Sequence, residues 1–281
     1  MIEIYAGLSP IFDVTEYLSI KPLELIEIYA KMRQIMDARE YSTIKDIAPR
    51  LLRGAILDKA ALAEVGITPE KARYLARNGW LTRLSDGVYH VPGNELELQT
   101  CIAYLSKKVP DLHVGGKTAL AWRGVRHNLA LKERVLLWGA VQVKLPAWFA
   151  EKFEHKFQVT HIFDTALPPN AGLSPLPGGN ASVLVSTPER ALLELLSDAG
   201  KYQSLEETRN IFENIRNLRM EVLEELFKHL TRIKVARMAR DFAEELNLPW
   251  LELADKNCQR LGGASRWIAL SKTGEKLVLK K

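Results

Sequence analysis

Leu57-Asp-Lys-Ala-Ala-Leu-Ala-Glu-Val-Gly-Ile-Thr-Pro-Glu-Lys-Ala-Arg-Tyr-Leu-Ala-Arg-Asn-Gly-Trp-Leu-Thr-Arg-Leu-Ser-Asp-Gly-Val-Tyr-His-Val-Pro92 is a stretch whose caps and breakers spell out helix, turn, helix, hairpin. Asp58 is placed to cap a short helix that Gly66 stops. Thr68 as N-cap and Pro69 at the first helical position start a second helix, which ends at Asn78-Gly79. Two helices joined by a tight glycine turn make a helix-turn-helix. Asp86-Gly87, set between alternating residues, predicts a two-residue hairpin with positive φ at both turn positions, and that hairpin is a candidate wing. Residues 43–53 read as the first helix of the same unit, and Pro92-Gly93 closes it.

The second helix has two faces. Ala72, Leu75, Ala76 and Gly79 recur at helical spacing as a narrow apolar side; Glu70, Arg73, Tyr74 and Arg77 lie opposite, flanked by Lys71 and Asn78. Regular pairing about Asp86-Gly87 places Thr82, Leu84, Tyr89 and Val91 on a core-like face, and Arg83, Ser85, Val88 and His90 on a face that can meet phosphate. A guanidinium presents a planar fork that matches guanine O6/N7 or a phosphate with two parallel hydrogen bonds. Lys71, Arg73, Tyr74, Arg77, Asn78, Arg83 and Ser85 are therefore the candidate contacts to double-stranded DNA. An ordinary solvated helix carries charges of the same kind; the adjoining hairpin is what favours the DNA reading.

Bulk properties agree. The chain has 281 residues, 47% of them hydrophobic, which is a globular composition with room for two domains. Net charge is +5, and residues 42–93 hold eight basic and five acidic residues, whereas residues 1–41 hold four and seven. The basic excess thus includes the helix-turn-helix, as phosphate neutralisation requires. No apolar run reaches the ~18 residues of a membrane span and no secretory leader is visible, so no membrane association and a cytoplasmic setting are expected. Cys101 and Cys258 match neither a disulfide framework nor a zinc pattern, and read as buried apolar thiols.

The rest of the chain reads as α+β. An amphipathic helix over residues 21–39 precedes the DNA-binding unit within an N-terminal extension, residues 1–41. Beyond it, residues 94–281 form a C-terminal domain of mixed α/β and then helical character. Its expected elements are a helix over 95–109, strands over 135–143 and around 157–163, a proline- and glycine-rich loop over 167–180, and a strand at 183–185. Thr187-Pro188-Glu189 then opens a well-capped helix, helical sequence runs from Ser204 to about Leu246, and a hairpin closes the chain at 266–270 and 276–279.

Catalytic patterns are weak. Gly115-Gly116-Lys117-Thr118 ends like a phosphate-binding loop, but Asp111 stands where that motif needs glycine. The six histidines form no ligand pair with a glutamate between them, and no Gly-x-Ser-x-Gly elbow occurs. No metal, no cofactor and no catalytic residue are assigned. Arg232, Lys234, Arg237 and Arg240 lie opposite an apolar stripe of Val235, Met238, Ala239, Phe242 and Leu246, so these cations are expected to face outward, with Arg237–Asp241 and Arg240–Glu244 at pairing distance. They read either as a solvated face or as a second nucleic-acid contact surface.

Five stretches in order resemble one family: Gly79 to Tyr89; His113-Val-Gly-Gly-Lys-Thr-Ala-Leu120 with Gly124 and His127; Leu145-Pro-Ala-Trp148-Phe; Ser186-Thr-Pro-Glu-Arg-Ala-Leu-Leu-Glu194; and Leu261-Gly-Gly-Ala-Ser-Arg266. Together they resemble the AbiEi-type antitoxins, transcriptional regulators of bacterial type IV toxin–antitoxin and abortive-infection systems. The resemblance runs from about residue 45 to the end; residues 1–41 have no counterpart, and Asn128 stands where an aromatic is expected. It implies an autorepressor without enzymatic activity that binds its own operon promoter, with self-association on the DNA left open. It also implies a C-terminal antitoxin domain that counters a nucleotidyltransferase-like toxin without a stable complex. Within that domain, charge placement nominates Lys234, Arg237 and Arg240 as the antitoxin surface. Two other readings stand beside this one: a nucleotide- or nucleic-acid-modifying enzyme using Lys117 or the basic helix, and a protein-binding adaptor with a structural helix-turn-helix.

Overall fold

A computed structural model describes residues 54–93, 95–125, 134–215, 217–262, 267–270 and 276–279. The helices expected over 21–39 and 43–53, the positions of His127 and Asn128, and most of the 261–266 motif lie outside the described residues.

The first region runs β1 (Ile56–Leu57), α1 (Lys59–Glu64), α2 (Pro69–Arg77), β2 (Thr82–Ser85) and β3 (Val88–His90). The caps are those the sequence announces: Asp58 Oδ1 accepts from Ala61 N at 3.1 Å, and Thr68 Oγ1 accepts from Lys71 N at 3.3 Å. Gly66 and Gly79 end the helices with φ of +77° and +78° and open space around them, so backbone conformation rather than crowding selects glycine there. Leu57, Leu62, Ile67, Ala72, Leu75, Leu81, Tyr89 and Val91 close over one another as a small core.

The hairpin departs from regular pairing. β3 lies between β1 and β2, with Thr82 opposite His90, Arg83 opposite Tyr89 and Ser85 opposite Val88. Leu84 is the extra residue of a bulge, and Gly87, not Asp86, carries the positive φ of the turn. The bulge shifts the expected register by one residue. Moreover, the face expected to meet phosphate is split: Arg83 and Ser85 are exposed, but Val88 packs against the larger core and His90 is 7% exposed. A central strand covered on both sides buries both of its side-chain sets, which alternation alone does not reveal. Burial, together with the charge of Lys152, holds the His90 imidazole below its usual pKa.

The second region begins with α3 (Leu98–Ser106) and builds a five-stranded mixed sheet from β4 (His113–Val114), β5 (Val135–Trp138), β6 (His155–Gln158), β7 (Leu173–Ser174) and β8 (Val185–Ser186), in the order β6-β5-β4-β8-β7. Two short helices, α4 (Gly116–Trp122) and α5 (Ala147–Lys152), connect its strands. The long α6 (Pro188–Asp198) follows β8 and is buried at nine of its eleven positions, Leu192, Leu193 and Leu196 fully. A helix buried on all sides needs neighbours on all sides. They are α4, α7 (Leu205–Asn214), α8 (Met220–Lys228) and α9 (Ile233–Glu245); α10 (Leu251–Leu261) and the antiparallel pair β9 (Trp267–Leu270) and β10 (Lys276–Leu279) complete the region.

Several expectations are corrected here. The segment expected to be wholly irregular contains β7, which pairs with β8 as a sheet edge; Arg123 straps the two together by donating to Ser186 O at 2.7 Å, Ser174 O at 2.8 Å and Val185 O at 2.9 Å. The helical stretch after Ser204 breaks into three helices, and α10 was not foreseen. Val135–Trp138 is the only part of the 135–143 run that pairs. Both thiols are free and buried, and burial pushes Cys101 up to about 12 and Cys258 up to about 11, which leaves them protonated and inert. Among the described residues no helix is long and apolar enough to cross a membrane, and no cluster of side chains could hold a metal ion.

Candidate nucleic-acid interface

α2 buries Ala72 and Leu75 and leaves the opposite side free to meet a partner. Arg73, Tyr74, Arg77 and Asn78 are exposed along it, and Lys71 is half-buried at its margin. Arg73 Nη2 pairs with Glu70 Oε1 at 2.9 Å, an exposed i, i+3 contact that solvent screens strongly. Asn78 Nδ2 donates to Tyr74 O at 3.2 Å, which fixes that amide at the helix end. On the hairpin, Arg83 Nη2 pairs with Asp86 Oδ1 at 2.8 Å with both side chains largely in water. The structure therefore presents four of the seven sequence candidates on α2, Asn78 at its C-cap, and the remaining two, Arg83 and Ser85, on β2, all at the surface or its margin.

One cation escaped the sequence reading. The stem of Lys59, on α1, lies so close to the hairpin turn that a Cβ at Gly87 would sit 2.7 Å from Lys59 Cε. An exposed lysine thus adds positive charge at the tip of the hairpin that carries Arg83. Nothing in the spacing of Lys59 within α1 signals this, because the hairpin returns to it only in the folded chain.

The second candidate surface does not exist. Lys234 is 9% and Arg237 3% exposed, and the Arg240 side chain is 13% exposed. The expected outward face of α9 is covered because this helix packs on α10 and on α6 at once. Lys234 Nζ reaches across to the C-terminal end of α6 and donates to Ser197 O at 3.1 Å and Ala199 O at 2.6 Å. It thus satisfies carbonyls that the end of a helix leaves open. Arg240 pairs with Asp241 at 3.0 Å, and its Nη1 lies 3.9 Å from Asp255.

Two of the motif stretches meet at a buried carboxylate. Glu194, inside α6 and 0% exposed, accepts from His113 Nε2 at 3.0 Å and Arg190 Nε at 2.9 Å on Oε1, and from Gly116 N and Ser186 Oγ, each at 2.8 Å, on Oε2. His113 Nδ1 is 2.8 Å from Asp111 O, so both ring nitrogens are engaged. Burial alone raises a carboxyl pKa; here the His113 imidazole, the Arg190 guanidinium and the Gly116 N–H outweigh it and hold Glu194 down to about 2. Gly115 is required for close approach: a Cβ there would run into the Glu194 carboxylate and sit 2.7 Å from Trp138 Cδ1. Lys117, the residue that suggested a phosphate loop, turns away to pair with Glu207 of α7. With His113 and Glu194 at 4% and 1% side-chain exposure and their bonds filled, the pair joins β4, β8, α4 and α6 and has no face on which to meet a substrate.

Comparison with known proteins gives a consistent picture. The family described as the AbiEi antitoxin N-terminal domain of transcriptional regulators matches residues 40–131, and that described as the transcriptional regulator AbiEi antitoxin of type IV toxin–antitoxin systems matches residues 132–279. Among solved structures, the RV2827C protein from Mycobacterium tuberculosis is similar over 75% of this chain and 78% of its own, at 15% identity and a TM-score of 0.49. No curated protein matches the sequence.

Proposed function

We propose, from the premise that this chain belongs to the AbiEi antitoxins, the transcriptional regulators of type IV toxin–antitoxin systems, that residues 42–93 form a winged helix-turn-helix that represses the chain's own operon. α2 is the reading helix, and the β2–β3 hairpin is the wing. Residues 94–281 form the antitoxin domain, which opposes a nucleotidyltransferase-like toxin without a stable complex and without catalysing a reaction.

The observation that carries the DNA reading is the exposed row Arg73, Tyr74, Arg77 and Asn78 over a buried Ala72 and Leu75, with Arg83 exposed on the hairpin that follows and Lys59 close to that hairpin's turn. Arg73 and Arg77 are spaced to follow one groove, and an arginine fork reads guanine bidentately. The Glu70–Arg73 contact is exposed, so a base or phosphate displaces it at little cost. Arg83 on the hairpin contacts phosphate and sets the register of the reading helix.

Fluorescence anisotropy with the DNA upstream of the chain's own gene tests this, using a scrambled duplex for comparison. Arg73→Ala and Arg77→Ala should each cost about 1–3 kcal/mol of specific affinity and leave binding to the scrambled duplex nearly unchanged. Operator binding by the double variant equal to that of the parent would remove α2 as the reading helix.

A further inference from the structure

Between α1, the start of α2 and the turn of the hairpin lies an open groove of about 400 Å³ with a predominantly apolar lining. Leu62, Ile67 and Tyr89 close it beneath, while Ala63, Thr68 and Pro69 at its mouth are exposed. Lys59 and Gly87 form its rim on the hairpin side. Lys59 has no ion pair among the described residues, whereas the nearby acids Asp58, Glu70 and Asp86 are held by Lys108, Arg73 and Arg83, and Glu64 does not line the groove. The mouth thus carries one uncompensated positive charge above an apolar floor, and the positive end of the α2 dipole adds to it.

A phosphate does not suit an apolar floor; apolar side chains with acids beside them do. Residues 1–20, which lie outside the described residues, have that composition: Ile2, Ile4, Leu8, Ile11, Phe12 and Val14, with Glu3, Asp13 and Glu16 and no lysine or arginine. Side chains this apolar gain by leaving water. The three acids also complement the unit of residues 42–93, where basic residues outnumber acidic ones by eight to five. The segment lies outside both family matches, which begin at residues 40 and 132. Gly54 is tied to the first region by a 3.3 Å hydrogen bond to Val91 O, and at about 3.3 Å per extended residue the intervening residues 21–53 give ample reach from there to the groove.

We propose that residues 1–20 of the same chain dock in this groove, Ile11 and Phe12 filling it and Asp13 approaching Lys59, and that the docked segment holds the protein off DNA. The inference rests on the DNA reading of α2 and the hairpin. The groove runs between Pro69, which opens the reading helix, and Gly87, at the turn of the wing, so its occupant sets acidic side chains between the two elements that meet phosphates. DNA and the segment then exclude each other. With an effective concentration of about 1 mM for the tethered segment and a Kd of about 100 μM for the same segment as a free peptide, docking lowers DNA affinity about tenfold.

Two variants of the full chain test this by fluorescence anisotropy with the upstream duplex. Ile11→Ser/Phe12→Ser keeps every charge but removes the apolar pair, and should bind the duplex about tenfold more tightly than the parent. Repulsion between the acids and DNA without docking predicts no such gain. Ala63→Phe fills the groove from α1 and should give the same gain, with nothing further when the two variants are combined. A second measurement needs no DNA: a fluorescein-labelled peptide of residues 1–20 should bind the Ile11→Ser/Phe12→Ser protein with a Kd of about 100 μM, and at least about tenfold more weakly once Ala63→Phe is added. Parent-like DNA affinity in Ile11→Ser/Phe12→Ser, peptide binding indifferent to Ala63→Phe, or a gain that depends on protein concentration, which would seat the segment on a second copy, would each overturn the proposal. Absence of DNA binding by every variant would instead fail the DNA reading, and the peptide measurement decides the docking separately.

Discussion

α2 and α9 look alike in sequence and opposite in structure. Each carries an apolar stripe at helical spacing with cations on the other side, Arg73 and Arg77 on α2, Lys234, Arg237 and Arg240 on α9. On α2 the cations are exposed; on α9 Lys234 and Arg237 are buried. α2 belongs to a small core in which, among the described residues, no other element covers the side of it opposite Ala72 and Leu75. α9 sits in a larger bundle where α6 and α10 cover it from two directions, and its cations are consumed inside, with Lys234 closing the end of α6. Periodicity tells which residues share a face; the number of layers tells whether that face reaches water.

The largest expected effect tests whether interior charge in the second region is structural. Glu194→Ala strands Arg190, His113, Ser186 and the Gly116 N–H around a cavity, and should cost about 3–5 kcal/mol in urea unfolding, enough to threaten folding. Because the folded pKa of Glu194 is about 2 against a usual 4.5, its contribution is complete above 4.5 and is lost as pH falls toward 2. Glu194→Gln should therefore flatten the acid limb of the stability curve. An Ala variant as stable as the parent would break the comparison at its buried end.

An intermediate effect separates a buried lysine from an exposed one. Lys234 has a folded pKa of about 8 against 10.5, so between these values the unfolded chain holds the extra proton and folding gains as pH rises. Relative to Lys234→Met, the parent should gain up to about 2 kcal/mol between pH 8 and 10. Lys201→Met, at an exposed position, should show no such trend, and parallel pH profiles for both variants would place Lys234 in water after all.

The smallest stability effect belongs to the hairpin. Arg83→Ala should alter stability by no more than about 0.5 kcal/mol, as surface substitutions do. If the hairpin is the proposed wing, the effect of this substitution should appear instead in the salt dependence of DNA binding, whose slope should fall by about one for every sequence tested. A loss confined to one base position, with the slope intact, would turn Arg83 from a phosphate contact into a reading residue.

Much of the first region was legible because its signals are local. Asp58, Thr68 and Pro69 start helices by satisfying or dispensing with the first N–H groups, and Gly66 and Gly79 end them by accepting positive φ. These act within four residues and need no partner elsewhere. The bulge at Leu84 was not legible, since one unpaired residue leaves no mark on alternation, and neither was the cover over Val88 and His90. In the second region α6 was foreseen from Thr187-Pro188-Glu189, but β7 was hidden in a proline-rich segment because a two-residue strand needs only a willing neighbour, β8.

By itself the sequence determined which residues of this protein could begin, end and line each local element, and with them the exposed basic face of α2, the two buried thiols and the family. Only the tertiary structure decided what those faces meet. His113 and Glu194 are 81 positions apart, and the use of Gly115-Gly116 as the close-packed wall of a buried carboxylate, rather than as a phosphate cradle, exists only once β4, β8 and α6 are assembled. The same holds for Lys234, which reads as surface along its helix and becomes the cap of another. Local rules act through neighbouring backbone groups and are written in the chain; burial and charge pairing depend on which elements arrive on the other side, and that is set by packing.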